Sequence, residues 1–149
     1  MTQLTEHFTI EELTRSEKAA SLGIDNTPSA EVVNELQATA LMMERVREIL
    51  GGPIVISSGY RSLALNRAVG SKDTSAHVAG RAVDFTCPSF GTPLEVAQRL
   101  STRQALLGFD QLIHEFRRWV HIGRAAENHT PRGELLTIDT RGTQAGLVA

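Results

Sequence analysis

Ser75-Ala76-His77-Val78-Ala79-Gly80-Arg81-Ala82-Val83-Asp84-Phe85-Thr86 is the stretch on which the architecture turns. Small residues around Gly80 read as a turn, and Arg81 to Thr86 reads as a strand closed by Pro88. Alternation sends Val83 and Phe85 one way and Ala82, Asp84 and Thr86 the other. A later strand, Arg118 to Ile122, repeats the pattern: Val120 and Ile122 face one side, Trp119 and His121 the other. Each strand thus has an apolar face for a core and a second face carrying an ionisable group. His77 precedes Asp84 by one small-residue turn, so both side chains can return to one point.

Working outward, Thr9-Ile10-Glu11-Glu12 has the form of a capping box and predicts a short helix ending near Gly23. Asp25-Asn26-Thr27-Pro28 reads as a turn. From about Ser29 to Leu50, Val32, Val33, Leu36, Met43, Val46 and Leu50 recur at helical spacing, and Gly51-Gly52-Pro53 ends the helix. Ile54 to Ser57 is a short β-branched strand. Leu63 to about Val69 and Pro93 to Leu100 read as helices, with a polar loop from Gly70 to Ser75. Gln111 to Phe116 is a further strand, turning at Arg117 and Arg118, and Glu134 to Asp139 adds an edge strand. Helices early and strands late predict an α+β domain, N-terminal helices on a small antiparallel sheet. One domain is expected over residues 1–149, with its core about residues 8–139 and the last ten residues a loose tail.

The composition excludes several functions. Fifteen basic against seventeen acidic residues give a net charge of -2, which argues against a nucleic-acid binder. The single cysteine, Cys87, rules out an intrachain disulfide and a thiolate zinc site, and reads as a small buried hydrophobe. No apolar run is long enough to span a membrane. Acids stand early in the N-terminus and no apolar stretch of secretory type follows, so synthesis in the cytoplasm without a signal peptide is expected.

His77, Asp84 and His121 are the candidate metal ligands. Two imidazoles and one carboxylate, with a fourth position open to water, is a common way of holding catalytic zinc. Taken by itself, the His-x6-Asp spacing is a loose pattern. Its context is more specific. Ile56-Ser57-Ser58-Gly59-Tyr60-Arg61-Ser62, then Asn66, Val69 and Gly70, precede the His77 block. Gln111-Leu112-Ile113 and Glu115 precede Trp119-Val120-His121-Ile122, and Phe8-Thr9 with Glu12-Leu13 opens the series. In this order the blocks resemble the zinc-dependent D-alanyl-D-alanine carboxypeptidase family of murein peptidases, its compact phage and prophage members above all. The resemblance runs from about residue 8 to residue 122.

It implies a hedgehog-like α+β fold, Zn2+ on His77, Asp84 and His121, and a peptidoglycan stem peptide as substrate. Cleavage would be that of a carboxypeptidase or of a murein endopeptidase. A monomer acting at the bacterial cell wall or periplasm is expected, reaching it by phage-type release or as part of a virion. Glu115 is the candidate acid/base, across the turn from His121. Several members of the family carry the acid three residues before the last histidine, where this chain has Arg118, which cannot serve as a base. His114 is the rival, although strand parity puts it on the opposite face. Arg61 is the candidate donor to a substrate carboxylate, because guanidinium offers a planar fork. Ser75 is expected to touch substrate or orient a ligand, Tyr60 to line the cleft and Trp119 to wall it. Gly59 and Gly80 are assigned to backbone geometry. Asp73 reads as a turn residue, and His7 and His129 as exposed. The alternative is a module of the same fold that binds zinc without catalysis, in a partner-binding or virion role.

Overall fold

Capping hydroxyls decide where five of the helices begin. Thr9, Ser16, Ser29, Ser62 and Thr92 each accept a hydrogen bond from the backbone N–H three residues on. Such a bond satisfies a donor that the first turn leaves free. The computed structural model describes residues 2–149. The caps open α1 (Ile10–Thr14), α2 (Glu17–Leu22), α3 (Ala30–Leu50), α4 (Leu63–Ala68) and α5 (Pro93–Ser101). The single helix expected up to Gly23 is two. Ser16 is extended, at φ -149°, and starts a second helix, which Gly23 ends in the left-handed region. A short α6 (Gln104–Leu107) follows α5, unforeseen because four residues carry no periodicity.

Six strands form one sheet: β1 (Val55–Ser58), β2 (Ala82–Thr86), β3 (Gln111–Glu115), β4 (Trp119–Gly123), β5 (Glu134–Asp139) and β6 (Gly142–Ala145). Their order is β1-β2-β4-β3-β5-β6. The architecture is α+β, and four of the five pairings are antiparallel. The fifth is parallel: the chain leaves β4, passes along residues 124–133 and returns beside β3. The β3–β4 turn falls one residue earlier than expected, with Phe116 and Arg117 at φ 54° and 58°.

The expected edge strand, β5, is therefore interior, and the expected loose tail supplies the true edge. Asp139 pairs with Gly142 across the two-residue connection Thr140-Arg141, and the Asp139 carboxylate accepts from the Arg141 N–H. Beyond β6, buried Thr137 donates its hydroxyl to the Gly146 carbonyl and accepts from the Val148 N–H. These polar ties, unlike an apolar pattern, leave little trace in a short sequence.

The core lies on one face of the sheet. Val83, Phe85, Leu112, Val120 and Ile122 pack with Leu36, Met43 and Val46 of α3 and Val96 and Leu100 of α5. α3 ends where Gly51 turns left-handed, as its glycine stop predicts. Among the described residues, no helix is long and apolar enough to cross a membrane.

Replacing Thr137 by Val removes both ties to the C-terminal segment. Expected is a loss of about 1–2 kcal/mol in urea unfolding and faster exchange of the Val148 amide. Unchanged exchange at that amide would mean that the segment is held by other means.

Candidate metal centre

The turn that carries His77 is fixed before any ligand is considered. Ser75 accepts from the His77 N–H and opens a 3-10 turn over Ala76–Ala79. Gly80 then reverses the chain at φ 73°, and a Cβ there would press within 3.2 Å of Val32 and Leu36. Thr39 of α3 donates its hydroxyl to the Gly80 carbonyl at 2.7 Å. Glu35 binds both Arg81 and Arg124, clamping the same turn and the end of β4 to α3.

The His77 ring is oriented by Gly59. Its Nδ1 lies 2.7 Å from the Gly59 carbonyl, which can only accept, so Nδ1 carries the proton and donates. Nε2 is left with a lone pair, 3.2 Å from Asp84 Oδ1. His121 faces Asp84 directly across β2 and β4, and its Nδ1 lies 2.9 Å from the same oxygen. One donor atom from each residue lies within 4.8 Å of the others. All three side chains are buried, and the two rings meet edge to face at 5.1 Å.

This arrangement fits a divalent cation. A nitrogen lone pair and a carboxylate oxygen at 3.2 Å repel each other unless a proton or a metal stands between them. The His77 proton is committed to the far side of the ring. Two imidazoles and a carboxylate are a donor set suited to zinc, and the carbonyl behind His77 is the kind of outer partner that orients a ligating ring. Burial pushes the Asp84 carboxyl up, but the two imidazoles outweigh it and hold the group well below the usual carboxylate range.

Glu115 borders the group. Trp119, its cross-strand neighbour, donates its indole N–H to Oε2 at 3.1 Å, and Oε1 lies 3.8 Å from His121 Nδ1. Burial pushes the Glu115 carboxyl above its ordinary value, and the Asp84 charge adds to this against His121, Trp119 and Arg61. Trp119 therefore walls the cleft and also fixes the carboxylate.

Arg61 approaches from beyond β1. Its backbone N–H donates to the His77 carbonyl, and its Nε donates to Asn66 Oδ1 at 3.1 Å. Asn66 is fully buried and donates in turn to the Lys72 carbonyl. The sequence blocks contain Asn66 without assigning it a role. A buried amide that ties an arginine to a loop becomes visible only once the loop is folded.

Arg61, Ser75, His77, Asp84, Glu115, Trp119 and His121 all line one cleft of about 1000 Å³. Tyr60 does not join them. It packs against the core and lines an adjoining hollow beside Arg15 and Ser57, which shares Arg61 and Val69 with the cleft. His114 points to the other side of the sheet, where its Nδ1 donates to the Val148 carbonyl. His7 pairs with Glu44, His129 is exposed, and Asp73 pairs with Arg67 at the surface. Cys87 is buried.

A family model described as peptidase M15 matches residues 6–123. That span takes in the three converging donors, Glu115 and Arg61. No curated protein matches the chain.

Gly59 provides the test of this geometry. A Cβ there would lie 2.2 Å from the Leu13 carbonyl oxygen, so Gly59→Ala must displace the segment that orients His77. Expected is a loss of about 1–3 kcal/mol by denaturant unfolding. An unchanged midpoint would mean that the close approach is not maintained.

Proposed function

As a member of the peptidase M15 family, the chain is a hydrolase of the metallopeptidase type, and we propose that it is a zinc-dependent peptidase acting on the stem peptides of bacterial peptidoglycan. The observation that carries this reading is the convergence of His77 Nε2, Asp84 Oδ1 and His121 Nδ1 beside the carboxylate of Glu115. These three atoms would hold the cation. When bound, zinc supplies Lewis-acid polarisation of the scissile carbonyl and brings the acidity of water toward neutrality.

The remaining work falls to the chain's own groups. Glu115 accepts the water proton at Oε1, the oxygen nearer His121, and passes it to the leaving amine. Oε2 is held by the Trp119 indole, so the carboxylate does not swing away. Arg61 has its Nε engaged by Asn66, which leaves the terminal nitrogens to take a substrate carboxylate as a fork. Ser75 holds the turn beneath His77 and stands at the lip of the cleft. The whole chain acts as one catalytic domain, as a monomer, at the cell wall.

Two variants separate catalysis from metal binding. Glu115→Ala is expected to keep one bound zinc while the release of peptide fragments from purified murein falls by about 10²–10⁴-fold. His77→Ala is expected to lose both. Zinc content follows from elemental analysis, and the cleaved bond from the mass of the fragments. Full activity in Glu115→Ala would remove that residue from the mechanism. A tightly held zinc without turnover of murein would instead favour a non-catalytic module. Arg61→Met is expected to raise KM by about tenfold for substrates ending in a free carboxylate, with a smaller effect on kcat.

A further inference from the structure

Three half-buried charges meet where α3 packs beside the ends of β2 and β4, and the hydrolytic reading gives them no part. Glu35 of α3 accepts at Oε2 from Arg81 Nε, 3.0 Å away, and from Arg124 Nη2. Arg124 reaches further. Its Nη2 also donates to the Glu35 carbonyl at 3.2 Å, and its Nε donates to Thr39 Oγ1 at 3.1 Å. Thr39 is fully buried and donates its own proton to the Gly80 carbonyl. The Arg124 N–H closes the group by donating to the Arg81 carbonyl at 2.8 Å. Arg124 lies just beyond residues 6–123, so the family match does not contain the whole group.

The group is placed specifically with respect to the three metal donors. Arg81 stands three residues before Asp84, at the entry of β2, and Arg124 three residues after His121, at the exit of β4. Ala82 and Gly123 form the end pair of that ladder, and Asp84 and His121 the pair two steps in. Gly80, held through Thr39, ends the turn that delivers His77. A single turn of α3, Glu35 to Thr39, is thus bonded to all three segments that carry a donor.

Keeping the helix on the sheet does not require this group. Leu36, Met43 and Val46 already bury α3 in one core with Val83, Phe85 and Ile122. What the charges add is position. Two guanidinium groups this close repel each other unless an anion stands between them, and partial burial strengthens the repulsion. Burial pulls the Arg124 guanidinium below its ordinary pKa, Arg81 adds to this, and Glu35 opposes both. Without the carboxylate the entry of β2 and the exit of β4 would move apart. Zinc sites hold their ligand distances to within about 0.2 Å.

We propose that Glu35 is a positioning residue for the metal centre: by binding the arginines at the entry of β2 and the exit of β4, it sets the spacing of His77, Asp84 and His121, and through it the affinity for zinc and the shape of the coordination. This rests on the metal reading given above.

The experiment uses the full chain and two probes, Zn2+ and Co2+. Glu35→Gln is expected to bind zinc about tenfold more weakly than the native chain, in competition with a chromophoric chelator. The visible absorption of its Co2+-loaded form, which reports the geometry of the donors, is expected to change in band position and intensity. Arg124→Lys keeps the charge but loses the donor to Thr39. It is expected to weaken zinc binding several-fold, and it supplies the same readouts should Glu35→Gln fold poorly. Glu95→Ala, which breaks the capping box of α5 and leaves Glu35, Arg81 and Arg124 intact, is the control. Urea unfolding of the metal-free proteins gives the stability of each. Glu95→Ala is expected to lose stability and to keep the native zinc affinity and Co2+ spectrum. Native affinity and spectrum in Glu35→Gln and Arg124→Lys overturn the proposal. So does an equal loss of zinc affinity in Glu95→Ala, because the effect then follows stability alone. A native chain that binds neither metal, or that binds both undiminished after His77→Ala, defeats the metal reading itself.

Discussion

A single carboxylate oxygen, Asp84 Oδ1, stands between two imidazole nitrogens in a buried pocket. Everything nearby is arranged to keep it there. β2 and β4 pair in a register that sets Asp84 opposite His121. The Gly59 carbonyl fixes the protonated side of His77, and a clamp from α3 holds the turn that delivers the ring. Burying a carboxylate is costly unless cations or donors surround it. In this fold two imidazoles surround it, and a divalent cation between the three donors would offset that cost.

The sheet divides labour between its faces. One face buries Val83, Phe85, Leu112, Val120 and Ile122 beneath α3 and α5. The other carries Asp84, Glu115, Trp119 and His121 into the cleft. Strand alternation alone imposes this separation, so a one-residue slip of register would exchange core and site together. Gly59 lies against Leu13 of α1 and Gly80 against Val32 and Leu36 of α3, and a side chain at either would press on that helix. Stability and site geometry are therefore coupled through the same close contacts.

Much of this was legible before folding. Alternation in Ala82–Thr86 and Trp119–Ile122 placed the candidate ligands Asp84 and His121 on one face, and the glycine stop at Gly51 bounded α3, because both signals are local. Parity likewise set His114 apart from Glu115. What stayed hidden depends on tertiary partners. The parallel return of β5 beside β3 follows from the path of residues 124–133, which carry no periodic pattern. Asp139 accepts from the Arg141 N–H in the turn to β6, and Thr137 donates to the Gly146 carbonyl beyond it, so the segment read as a loose tail carries an ordered strand. Tyr60, expected to line the cleft, is not among its lining residues. Tyr60 packs against the core, whereas Arg61 borders both the hollow beside Tyr60 and the cleft. Asn66 stood inside a recognised block, yet its hold on Arg61 and Lys72 needs the folded loop to be seen.

The most direct measurement is anomalous diffraction at the zinc edge from crystals grown with excess Zn2+. One peak is expected, about 2.0–2.2 Å from His77 Nε2, an Asp84 carboxylate oxygen and His121 Nδ1. A peak bound elsewhere, or rings turned away from Asp84 with no metal between them, would contradict the proposed centre.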